Sequence, residues 1–152
     1  MNKEQVKKEQ ELYEAAMCLY EDVMGFVEEE VKLFGLRKHK KKRWALLDKI
    51  LKIRKGRDIF AGWPLSSSAY EDFERSNDIF DAYTSFFSRA AKVVILTYEM
   101  DVCDSKIFMT KKRKEKCEKT FLQACAANSA FGQAKQELNK QRALNLIASE
   151  IE

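Results

Sequence analysis

Along most of the chain, apolar residues return every third or fourth position, which is the repeat of an amphipathic helix. The first run puts Leu12, Ala16, Leu19, Val23, Val27, Val31 and Phe34 on one face, widened by Tyr13, Met17, Tyr20 and Met24. It predicts a helix from about Lys3 to Phe34, closed by Gly35 in the left-handed conformation that suits a helix C′ residue. The opposite face is acidic, with Glu11, Glu14, Glu21, Asp22 and the triplet Glu28, Glu29, Glu30. At about 1.5 Å per residue, such a helix is roughly 45 to 50 Å long.

A shorter repeat follows from Trp44 to Lys55. Trp44, Leu47 and Leu51, joined by Ile50, are expected on its buried face, and Gly56 is placed to end it. Residues 56–68 carry turn chemistry in Gly56, Gly62, Pro64 and Ser66 to Ser68. Ile59, Phe60, Trp63 and Leu65 make this segment too apolar for a loose linker, so it is expected to fold back onto the helices. Ser68-x-x-Glu71 matches a capping box, in which serine and glutamate satisfy each other's free amides. A third helix is predicted from there to about Val102. Its buried stripe is Tyr70, Phe73, Phe80, Tyr83, Phe87, Ala91, Val94 and Tyr98, and the run Val93 to Leu96 belongs at the centre of the core. A break is expected between Asp101 and Thr110, with Asp104, Ser105 and Thr110 as candidate N-caps. The last helix spans roughly Lys111 to Ile147. Its apolar positions are Cys117, Phe121, Ala124, Cys125, Phe131, Leu138 and Leu144, and Gly132 can bend or split it.

No segment alternates as a strand does, and no internal repeat is present. Five Gly and one Pro in 152 residues leave few places to break a helix. The predicted fold is all-α, an elongated helical bundle of three long helices plus one short basic helix. It forms a single domain over residues 1–152, with short connections that favour antiparallel neighbours.

Composition adds little to this until charge is considered. A chain that is 45% hydrophobic and 34% charged folds rather than staying disordered. No stretch reaches the roughly 18 apolar residues of a membrane span. The polar first ten residues do not read as a signal peptide, so the expected location is cytoplasmic. Cys18, Cys103, Cys117 and Cys125 show no zinc-ligand spacing, and they are expected to be reduced thiols packed as small core residues.

Charge is segregated. Residues 37–57 hold eleven Lys or Arg against Asp48, a net +10, while the whole chain carries only +4. The candidate binding residues there are Arg37, Lys38, Lys40, Lys41, Lys42, Arg43, Lys49, Lys52, Arg54, Lys55 and Arg57. A second segment, residues 106–119, holds seven Lys or Arg against Glu115 and Glu118, a net +5, and adds Lys111, Lys112, Arg113 and Lys114 as candidates. Both segments open predicted helices. If the two helix starts lie together, they form a positive surface able to contact several phosphates. Trp44 and Trp63 can stack on bases there or simply anchor the core.

Little in the chain suggests catalysis. His39 is the only histidine, and its sequence neighbours are cationic, which discourages a metal ion. There is no phosphate-binding glycine loop. Carboxylates spaced three apart, Glu71 with Glu74 and Asp78 with Asp81, could bind Mg²⁺ from one helical face, but they do not reproduce the acid pattern of all-α nucleotide pyrophosphohydrolases, because Arg75 and Lys32 stand where a last acid is needed. No metal and no cofactor is expected. The expected function is a non-enzymatic nucleic-acid-binding accessory protein. The alternative is a small adaptor or inhibitor, of the phage or mobile-element type, whose basic end docks on an acidic or nucleic-acid-binding groove of a partner protein. The first helix is also long and apolar enough to pair with a second copy of the chain.

Overall fold

Helical periodicity translates into four helices. They are α1 (Lys3–Glu28), α2 (Leu36–Arg54), α3 (Ala69–Asp104) and α4 (Lys111–Ile151), with short 3₁₀ turns at Leu33–Gly35 and Lys55–Phe60. The structure, a computed structural model, describes residues 3–60, 69–105 and 109–151, and within them the side chains of all but 33, 69–76 and 148–151. Among the described residues there is no strand, and the fold is an all-α bundle as predicted. The Ser68-x-x-Glu71 box, Trp63, Pro64 and Lys106 lie outside the described residues, as do the side chains of Tyr70, Phe73 and Glu74.

Side-chain pairs fix the helix directions. At one pole His39, near the start of α2, lies 2.8 Å from Asp101, near the end of α3, and its ring stacks on Phe26, near the end of α1. A disulfide between Cys103 and Cys117 ties the end of α3 to the start of α4 at the same pole. At the other pole, the Tyr83 hydroxyl and the Arg142 guanidinium both donate to Oε1 of Glu9, joining α3 and α4 to α1. The helices therefore run up, down, up, down, with the starts of α2 and α4 together at the upper pole.

The core is built around α3. Tyr83, Phe86, Phe87, Ala90, Val93 and Val94 are buried on it, and burying a large apolar side chain contributes about 1.5 to 3 kcal/mol. Phe86 packs on Phe131 of α4, and Tyr20 of α1 reaches the same ring. Ala124, Ala127 and Ala134 form much of the α4 face turned to α3, and small residues there permit close approach of the helix axes. α1 contributes Leu12, Ala16, Leu19, Val23 and Phe26, so its stripe is covered within the one chain.

Several boundaries and faces differ from expectation. α1 stops at Glu28 rather than Phe34, because the triplet of glutamates opposes the negative end of the helix dipole. Gly35 is not left-handed: it has φ −90° and ψ −5° and opens α2 instead. α2 starts at Leu36, so the cationic run Arg37 to Arg43 belongs to the helix rather than leading into it. Gly56 is needed for close approach, since a Cβ there would stand 2.8 Å from Leu12 Cδ1. Trp44 (57% exposed) and Leu51 (52% exposed) lie on the solvent face of α2, while Ile50 is buried. On α4, Phe121, Cys125 and Leu144 are exposed as well, and the helix continues through Gly132 without a split. The cysteines are not four reduced core thiols: Cys103 and Cys117 are bonded, and Cys18 and Cys125 are exposed.

Candidate functional site

Helical winding, at about 100° per residue, sorts the basic segment of α2 into three faces. Arg37, Lys40, Lys41, Trp44, Leu51 and Lys55 point outward and are exposed. Lys42 and Lys49 point toward α1. Lys42 Nζ lies 2.6 Å from Glu29 Oε1, and Lys49 pairs with Asp22. The hydrogen bond from Lys42 holds the Glu29 carboxyl below its ordinary range. Lys38 is exposed on the same side and adds to that effect. The inward face carries His39, Arg43, Leu46 and Ile50. Lys52 is held within the helix by Asp48 at 2.8 Å. Arg54 and Lys55 lie at the far end of α2, and Arg57 lies over the ring of Phe80. The eleven cations of residues 37–57 thus divide between two poles.

At the upper pole the two basic segments meet. Lys111, Lys112, Arg113 and Lys114 form the exposed first turn of α4, capped by Thr110 Oγ1, which accepts the backbone N–H of Arg113 at 3.2 Å. Neither α2 nor α4 has an acid in its first turn. Cations at a helix N-terminus oppose the positive end of the dipole, at a cost of about 0.3 to 1 kcal/mol each when exposed. Thr110 and Arg113 occupy the first and last positions of a capping box, and an arginine stands where glutamate would stabilise the helix. The placement lowers local stability and raises the local positive potential.

A groove of about 350 Å³ opens between α2, α3 and α4 at this pole. Arg43 from α2 and Arg113 and Lys116 from α4 line it, opposed by Glu99 alone. Tyr98, Val102, Thr120 and the Cys103–Cys117 disulfide complete its wall. The Arg43 guanidinium lies over the rings of Tyr98 and Trp44, at 4.4 and 5.0 Å from their centroids. A larger groove of about 690 Å³ runs between α1 and α2, but its Lys42 and Lys49 face Asp22, Glu28 and Glu29. Lining charge is therefore near −1 in the larger groove and near +2 in the smaller one, so of these two the smaller attracts anions; a third groove between α3 and α4, also of about 350 Å³, carries Arg89 and Lys92 but no arginine pair.

Beneath the pole lies a pair that composition did not single out. His39 is 2% exposed, stacked between Phe26 and Tyr98, with Nε2 at 2.8 Å from Asp101 Oδ2. Burial pushes the Asp101 carboxyl above its ordinary value, against the pull of His39. His39 has cationic neighbours in sequence but carboxylates in space, since Glu29 also approaches Nδ1 at 4.0 Å. The signal was present in the spacing 39, 43, 46, 50, which places the histidine on the buried stripe of α2. Asp78 and Asp81 are exposed, and among the described residues no group of three or more His, Cys, Asp or Glu is arranged to hold a metal ion. No described helix is long and apolar enough to cross a membrane.

Compared with protein-family models, with curated proteins and with solved structures, the chain finds no match.

Proposed function

We propose that the protein is a non-enzymatic nucleic-acid-binding factor that engages phosphates with its upper pole. The observation that carries this reading is the meeting of α2 and α4 at one groove, with Arg43, Arg113 and Lys116 on its wall. Around it stand Lys40, Lys41, Lys111 and Lys112, exposed cations with no ion pair among the described residues. Each such cation brought to a phosphate releases condensed counterions, so affinity falls steeply with salt. Trp44 beside Lys40 and Lys41 offers a ring face for an unpaired base. No base-reading motif accompanies these groups, so recognition is by charge and shape.

The second reading, docking on an acidic protein surface, draws on the same cations and on exposed apolar groups among them. Trp44 on α2 and Phe34 just before it are exposed aromatics, the residue class enriched at interfaces, and Leu51 extends the apolar surface.

Gel shifts with random-sequence duplex and single strands separate the two. Binding is expected at low salt. In a Lys40→Ala, Lys41→Ala, Lys111→Ala, Lys112→Ala variant it weakens, and the slope of log K against log salt becomes shallower by about 0.7 to 0.9 for each phosphate no longer engaged. Failure of the wild-type protein to retain either nucleic acid at low salt would overturn the proposal and favour the protein-docking reading.

A further inference from the structure

We propose that the groove between α2, α3 and α4 is a binding site for one phosphate monoester group. Its wall carries three cations, Arg43, Arg113 and Lys116, against the single acid Glu99. The net lining charge near +2 matches a phosphate monoester, which carries about −1.5 to −2 at neutral pH, better than an internal phosphodiester with its single charge. Two of the three cations are arginines, whose planar forks bind phosphate oxygens in pairs.

Arg43 is held ready for this. Its guanidinium is fixed against Tyr98 and Trp44, and its Nε is buried without a hydrogen-bond partner. A buried donor left in that state costs stability unless something satisfies it. Arg113 and Lys116 have no ion pair among the described residues, and they sit one turn apart on the first turns of α4. The disulfide ties that end of α4 to α3 and so sets the width of the groove. Glu99 supplies an acceptor beside the cations, suited to a sugar hydroxyl next to the phosphate. A volume of about 350 Å³ is at the small end of ligand sites and fits a group at a strand end or a mononucleotide rather than a continuous strand.

The site does not depend on a strand being the partner, because a terminal phosphate and a free nucleotide present the same chemistry. Calorimetric titrations without reductant would use four probes: inorganic phosphate, a nucleoside 5′-monophosphate, and one single-stranded oligonucleotide with either a 5′-phosphate or a 5′-hydroxyl. The phosphorylated strand is expected to bind about tenfold more tightly than the hydroxyl strand, the effect of one charge-assisted hydrogen-bonded pair. Arg113→Glu is expected to erase that preference without lowering the melting temperature, since it completes the capping box with Thr110. Arg43→Lys keeps the charge but loses the fork, and is expected to weaken binding several-fold.

A monophosphate that binds as tightly as the phosphorylated strand supports the site and makes a free nucleotide its ligand. Saturable monophosphate binding with no strand binding supports the site while overturning the nucleic-acid reading. Equal affinity for the two strands, with no saturable binding of phosphate or monophosphate, overturns the site and leaves strand binding standing. Survival of the 5′-phosphate preference in both variants also overturns it.

Discussion

Glu9 shows how much can rest on one side chain. It is 2% exposed, yet it accepts hydrogen bonds from Tyr83 and Arg142, each at 2.9 Å, and so joins three helices at the lower pole. Removing one partner of a buried pair costs about 3 to 5 kcal/mol, because the other charge stays behind unmatched. Glu9→Ala is therefore expected to lower the urea midpoint strongly, and Glu9→Leu combined with Arg142→Leu is expected to recover most of the loss. Nothing in the sequence marked Glu9, since it looks like one more acid on an acidic helix. Its partners, 74 and 133 residues away, are what distinguish it. Glu29 offers a pH test. Its carboxyl titrates lower in the fold than in the unfolded chain, so the Lys42 pairing stabilises above about pH 4.5 and is lost as pH falls through the lowered value. The pair is partly exposed, which limits it to roughly 1 kcal/mol or less. The melting temperatures of the wild type and Glu29→Gln should differ slightly at pH 7 and converge in strong acid. Asp101 acts in the opposite sense: burial raises its carboxyl, so ionising it above about pH 3.8 removes stability rather than adding it.

For the helices themselves, periodicity was a good guide to existence and a poorer one to ends and faces. The centres of the α1 and α3 stripes were legible, because Leu12, Ala16, Leu19 and Val23, and Tyr83, Phe87 and Val94, are buried where the pattern put them, whereas Phe34, at the end of the first stripe, is exposed. α2 was harder to read. Its Trp44 and Leu51 share a helical face with Lys40, Lys41 and Lys55, and the sequence alone does not say which of two apolar edges turns inward. The answer came from His39 and Ile50, which meet α1 and α3. The end of α1 was missed because repeat spacing continues through Val31 and Phe34, while the opposing dipole cost of three adjacent glutamates is not part of the repeat. The disulfide was missed for a related reason, since spacing of 14 residues is no signature and only the α3–α4 hairpin brings Cys103 and Cys117 to a Cα separation of 5.8 Å. Closing a loop of about 15 residues contributes roughly 3 kcal/mol. For a chain of this size, each kcal/mol corresponds to about 2 to 4 °C. A reductant, or the Cys103→Ser, Cys117→Ser variant, is thus expected to lower the melting temperature by roughly 6 to 12 °C in calorimetry. An unchanged melting temperature would show that the bond adds nothing to stability.

Taken whole, the molecule is a long α3–α4 hairpin with the shorter α1 and α2 laid along it. That arrangement turned two separate stretches of positive charge into neighbours. The candidate residues of α4 and of the first half of α2 were readable from composition, but their convergence was not, because it depends on the direction of every helix between them. The same topology took Arg54, Lys55 and Arg57 out of the group, and committed Lys42 to Glu29, just past the end of α1, and Lys49 to Asp22 of α1. The charged groove is consequently smaller than the sequence suggested, and its wall is drawn from three helices rather than one.

The bond between Glu9 and Arg142 has a practical corollary. It keeps the first turns of α1 and the last turns of α4 side by side, with about 29 residues of helix, or roughly 45 Å, between Arg142 and Arg113. A fluorophore, affinity handle or sensor-chip linker attached at the first turn of α1 or the last turn of α4 would leave the opposite tip facing solution. Both attachment points should report the same affinity.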